Sequence, residues 1–171
     1  MKFFGPKSLS HYLFYSIRVV TIVCILLLAF ILHSFVIGNF ELIGNRFQIK
    51  IPLFPKTYIE GFYQVNIITT ITVTMVYFTL FFYLLSNILK TFKASKLFTS
   101  KVIKELNYFA ILNLVAGPIL YLIIHFIIMN KSNYKDIFNL ILSLLLGVFV
   151  LFITAIFKRG FYVQSENDLT I

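Results

Sequence analysis

VNIITTITVTMVYFTLFFYLLSNIL, residues 65–89, decides the fold of this chain. The run carries no charged residue, and it is longer than the roughly 20 helical residues that cross a hydrocarbon layer about 30 Å thick. Three further apolar runs, at 19–37, 109–129 and 137–157, are long enough to do the same. The sequence therefore predicts an all-α, four-helix transmembrane bundle, one integral membrane domain over residues 1–171. Apolar residues make up 60% of the chain and mean hydropathy is +0.93, well outside the soluble globular range. The first run is too long for a signal-peptide core and follows 18 residues of chain, so it is expected to stay as an anchor.

Polar residues on the opening stretch fall on two faces. At about 100° per residue, Thr69, Thr72, Thr79, Tyr83 and Ser86 form one stripe. Asn66, Thr70, Thr74 and Tyr77 form another, nearly opposite. Lipid offers a hydroxyl no partner, so such a helix belongs in the centre of a bundle with neighbours on both sides. The stripes read as a lined path or, preferably, as threonines bonded to their own backbone carbonyls. In the third run Asn113, Gly117, Tyr121 and His125 recur every four residues along one face, and Pro118 is expected to kink the helix. In the fourth, Ser143 and Gly147 form a small-xxx-small packing face.

Charge sets the expected orientation. The termini and the 90–105 loop carry ten basic residues, against five on the opposite side. The positive-inside rule then places both termini in the cytoplasm of a multi-pass inner-membrane protein. The net charge of +9 comes from juxtamembrane lysines, which read as contacts with the lipid bilayer rather than with nucleic acid. Arg18 is expected to snorkel toward the cytoplasmic headgroups. Outside, Gly44-Asn45 between 40–43 and the alternating run 46–51 predicts a short extracytoplasmic β-hairpin ending before Pro52. Inside, Thr99 is expected to cap a helix beginning near Ser100. The short 131–136 turn makes the third and fourth helices an antiparallel hairpin.

Chemistry is sparse. Cys24 has no cysteine partner and reads as a small packed hydrophobe. There is no phosphate-binding glycine loop, no nucleophile elbow and no intramembrane carboxylate pair, so neither an enzyme nor a cofactor is expected. His33, Asn66, His125 and Asn139 all lie near the outer ends of their spans. They are the candidate intramembrane polar cluster, with ordinary interfacial contacts preferred over metal, haem or proton binding.

The candidate partner-binding tail is Gly160 with Glu166, Asn167, Asp168, Leu169, Thr170 and Ile171, within a basic exit followed by an acidic, then β-prone, terminus at 158–171. Glu166 and Asp168 are expected to dock on the lysines at 90–104, with Leu169 and Ile171 adding apolar contact. Exposed ion pairs alone contribute only about 0–1 kcal/mol each. With Gly160 after the last helix and ENDLTI at 166–171, this ending resembles the bacterial four-span membrane-protein family catalogued as domain of unknown function 2975. The Leu97-Phe98-Thr99 step is similar to that family's phenylalanine–serine/threonine step, although lysines stand here in place of its usual arginine. The resemblance implies a bacterial inner-membrane protein, often encoded beside a small helix-turn-helix regulator. The expected function is therefore a non-enzymatic regulatory or signalling protein acting with a cytoplasmic transcriptional regulator. The alternative is a small transporter, channel or immunity-type membrane protein, and self-association into a homo-oligomer is left open.

Overall fold

The computed structural model describes residues 2–52, 54–94, 96–133 and 137–169. Among them, four helices are long and apolar enough to cross a membrane: Leu9–Ile37, Val65–Phe92, Ser100–Ile128 and Ile137–Glu166. The first two are α1 (Leu9–Ile37) and α2 (Val65–Phe92). The third is composite: α3 (Ser100–Ile111), a π-helical turn at Leu112–Ala116, α4 (Gly117–Leu122), then a second π-helical turn at Ile123–Ile128. The last is α5 (Ile137–Leu169).

Each helix overruns its apolar stretch mainly at the lysine-bearing end, called the basic end here. Propagating an existing helix is far easier than nucleating a new one, so polar residues of good propensity extend it. Thr99 caps α3 as its sequence predicts, its hydroxyl accepting the Val102 amide at 3.3 Å.

The C-terminus departs most from expectation. Residues 158–169 continue α5 as helix instead of forming an extended, β-prone tail. No proline interrupts the segment, and Gly160, which costs about 1 kcal/mol in a helix interior, is used for packing. A Cβ at Gly160 would stand 2.6 Å from the Phe98 ring, so only glycine admits that ring. Glu166 is exposed. The docking expected of Asn167, Asp168, Leu169, Thr170 and Ile171 lies outside the residues whose side chains are described.

At the opposite end the chain between α1 and α2 forms an antiparallel sheet of β1 (Glu41–Ile43), β2 (Arg46–Ile51) and β3 (Phe54–Phe62), in that order. The expected hairpin is β1–β2, turning at Gly44 with φ 61°, the conformation that glycine supplies at the first position of a type II′ turn. The third strand was not expected, because Pro52 and Pro55 read as breakers. Pro55 is tolerated because β3 is an edge strand and the ladder is irregular at Lys50/Ile51. Phe47 and Ile49 are buried against Ile31, Phe35, Ile68 and Ile71, contributing roughly 1.5–3 kcal/mol each. Glu60 accepts from Arg46 and Gln48, and Lys50 pairs with Glu41 across β1–β2.

Helix α1 lies along α2, and α3 packs against both α2 and α5. Helix α2 thus sits between α1 and the third span, as its two polar faces require. The main core fills the basic end, where Ile88 of α2, Val102, Leu106 and Phe109 of α3, and Val150 of α5 are buried together. Phe157 closes it, stacked on Phe92 at 5.4 Å and tilted on Phe98 at 5.3 Å.

Candidate functional site

Toward the sheet end the same three elements separate around a cavity of about 540 Å³. One wall is the Thr70, Thr74 and Tyr77 stripe of α2, and another is the Asn113, Gly117, Tyr121 and His125 face of the third span. Helix α5 supplies Asn139 and Ser143. The deep end is apolar, with Phe78, Phe81, Leu120 and Leu146, and Lys131 stands at the loop end. Among the described residues the lining contains no carboxylate. Below Phe81 and Leu146 lies the packed core of the basic end, so the cavity reaches only part of the way along the bundle.

A backbone irregularity organises the floor. In the first π turn the Gly117 amide bonds five residues back, to the Leu112 carbonyl. At the next residue the same register would pair residue 118 with the Asn113 carbonyl, but Pro118 has no N–H. The Ser143 hydroxyl of α5 takes that vacancy, donating to the Asn113 carbonyl at 2.8 Å. A neighbouring helix thus satisfies what proline leaves open. The expected disturbance at Pro118 therefore takes the form of a widened turn with an interhelical bond. The Asn113 side chain, 1% exposed, donates to the Phe109 carbonyl at 2.8 Å. The Tyr77 hydroxyl stands 3.5 Å from both Asn113 Oδ1 and Ser143 Oγ. Gly117 makes this meeting possible, since a Cβ there would lie 2.7 Å from Ser143 Oγ and 3.0 Å from the Tyr77 hydroxyl. One helical turn along α5, a Cβ at Gly147 would stand 2.5 Å from Leu114 Cγ, so the Ser143/Gly147 face is an interhelical contact.

Near the sheet end, His125 is 3% exposed and lies parallel to the Tyr121 ring with centroids 5.3 Å apart. Its Nε2 meets the Asn133 carbonyl, and the Lys131 amide donates to the His125 carbonyl at 3.0 Å. The chain after the second π turn therefore folds back beside the cavity mouth. Two hydroxyls of lining residues, those of Thr70 and Tyr121, are buried without a hydrogen-bond partner. A buried hydroxyl without a partner costs about 1–3 kcal/mol.

The structure divides the predicted polar cluster. His125 and Asn139 line the cavity together, whereas His33 is exposed on α1. Asn66 is spent on its own helix, its Oδ1 accepting the Ile67 amide at 2.9 Å. Similar depth does not bring the four together, because α1 packs along a different face of α2 from the one lining the cavity. Among the described residues no group of three or more His, Cys, Asp or Glu could hold a metal ion. Gly160 of the predicted tail meets Phe98, so two of the residues carrying the family resemblance are in contact. Lys131 and the orphaned hydroxyls were not legible as site residues. The sequence signals were the two polar stripes of α2 and the Asn113–His125 face of the third run, whose facing depends on how the helices pair.

No family model, curated protein or solved structure matches the chain.

Proposed function

We propose that this chain is a non-enzymatic, multi-pass regulatory protein of the bacterial inner membrane, with the cavity as its input and the basic end as its output. One observation carries the reading: a half-depth cavity with unpartnered donors, closed toward the basic end by a packed core. A site of that shape suits binding and retention better than passage. Its size falls within the roughly 300–1,000 Å³ of small-molecule sites. The hydroxyl and amide groups on its walls favour a ligand with an acceptor-bearing polar head. The apolar deep end favours a hydrocarbon or ring body.

The lysine excess orients the basic end toward the cytoplasm. There, residues 158–169 of α5 and the 93–99 connection form the surface for a cytoplasmic partner. The family resemblance points to a helix-turn-helix regulator in that place. The transporter reading has its own support, since hydroxyl and amide groups reach into the cavity and it is flanked by π turns, which are frequent at functional sites.

Filling the cavity with Thr74→Leu/Asn139→Leu separates the two. The regulator reading expects normal insertion, lost ligand-dependent regulation of the neighbouring operon, and no solute flux in liposomes from either protein. Flux through the wild type that the filled variant abolishes would overturn it in favour of transport.

A further inference from the structure

Arg18 lies on α1 well past its start at Leu9, facing α2. It is half-buried. Its Nη1 donates to the Ser86 hydroxyl at 3.2 Å, and its Cζ lies 5.0 Å from the centre of the Tyr83 ring. Ser86 is fully buried and donates onward to the Tyr83 carbonyl at 2.7 Å, so its oxygen is fixed as an acceptor. A guanidinium has five donors in a rigid fork, and the rest find no protein acceptor among the described residues. Neither α1 nor α2 contains a carboxylate. An arginine inside an apolar span is expensive, and such residues pair with something.

A second cation occupies the same seam. Lys93, at the end of α2, holds its Nζ 4.2 Å from the centre of the Phe14 ring and 4.9 Å from that of Tyr15. Phe14 and Arg18 are one turn apart on α1, while Ser86 and Lys93 are two turns apart on α2. The two positive groups therefore flank one stretch of the α1–α2 seam, one to two helical turns apart, roughly 6–10 Å along the axis. Each rests on aromatic faces, which stabilise a cation without neutralising it.

We infer that the α1–α2 seam at the basic end is a binding site for the phosphate of an anionic phospholipid, with Arg18 as its fork and Lys93 as its second charge. A phosphodiester offers two anionic oxygens that a guanidinium grips in bidentate fashion and an ammonium meets as a point charge. The lipid is the favoured source because the seam is open along its length to exposed apolar side chains, including Val19, Val20 and Ile22 of α1, along which acyl chains can lie. Ser86 and Tyr83 act as positioning residues that aim the guanidinium outward. The site is independent of the cavity, from which α1 is remote.

Native mass spectrometry of the full chain in detergent tests this. Phosphatidylglycerol and phosphatidylcholine of identical acyl chains are supplied in equal amounts, with and without excess inorganic phosphate. The wild type is expected to retain phosphatidylglycerol preferentially. Arg18→Gln keeps a donor for Ser86 but loses the charge, and retention should fall at least about fivefold, the value of one basic residue near an anionic headgroup. Lys93→Gln should give a similar loss, and it serves alone if the Arg18 variant does not fold. Arg18→Lys, a charge without the fork, should rescue only in part. Equal retention of the two lipids, or wild-type retention by both glutamine variants, overturns the inference. Complete displacement by inorganic phosphate overturns the lipid as the source.

Discussion

The two polar faces of α2 use the same residue types and are satisfied in opposite ways. On the face toward α1, Thr72 and Thr79 donate to the Ile68 and Met75 carbonyls of their own helix at 2.9 and 2.8 Å. Ser86 also bonds its own backbone while accepting from Arg18. On the cavity face, Tyr77 reaches across to Asn113 and Ser143, and Thr70 has no partner. A hydroxyl four residues from a helical carbonyl can always close a local bond. Where it does so, it needs no neighbour and marks packing. Where it does not, something outside the helix is expected to complete it. Polarity within an apolar helix therefore does not by itself identify a site; the unspent bond does.

The largest expected effect comes from forcing the walls apart. Gly147→Val would set side-chain carbon 2.5 Å from Leu114 Cγ and 3.2 Å from the Leu114 backbone nitrogen. Overpacking of this kind costs about 1–3 kcal/mol, so the solubilised bundle should melt at a distinctly lower temperature. An unchanged melting temperature would mean that α5 does not press on the third span.

Ser143→Ala comes next, at about 1–2 kcal/mol, because it leaves the carbonyl that Pro118 cannot serve without a donor. The sharper half of this test is Pro118→Ala in the same background. Restoring an amide there should recover part of the loss, and failure to recover would break the account of the widened turn.

Thr70→Val and Thr72→Val place the two faces side by side. Removing the orphaned hydroxyl should stabilise the unliganded protein by up to about 1 kcal/mol. Removing the self-bonded one should change stability by less than about 0.5 kcal/mol. Equal destabilisation in both would erase the distinction.

The smallest effect belongs to the sheet, where an exposed pair stands apart from both faces. Hydrogen bonding to Glu41, then its charge, raises the Lys50 pKa above its ordinary 10.5. A raised folded pKa gives stabilisation that is complete below 10.5 and lost as pH climbs through the folded value. Amide exchange in β1 should therefore speed up, relative to the intrinsic rate, only at pH above 10.5. Glu41→Gln should remove the step, and its persistence would detach the effect from this pair.

The number of long apolar helices was legible in the sequence, because helix length and charge-free runs are local properties. So were the Thr99 cap, the Gly44 turn and the two faces of α2, each written in a few adjacent residues. Three features escaped. Helix α5 carries on past 157 because helix propagation ignores the hydropathy limit. Strand β3 forms through Pro55 because edge position, a property of the sheet, decides whether a missing amide matters. The cavity escaped because it depends on which faces of α2, the third span and α5 confront one another. That relation also separates His125 and Asn139 from His33 and Asn66, which depth along the span could not.

Helix α5, at 33 residues, is a single rod about 50 Å long, gripped over its middle from Gly147 against Leu114, through Val150 in the main core, to Gly160 against the Phe98 ring. Mechanically this is a clamped beam. The clamp is about 20 Å long, and about 14 Å of rod projects beyond it to Leu169. A sideways push at the cavity wall is resisted along that grip, whereas a slide or rotation of the rod about its own axis reaches the far tip undiminished. Bulk added at residue 160 would loosen the clamp at one edge while leaving the rod intact.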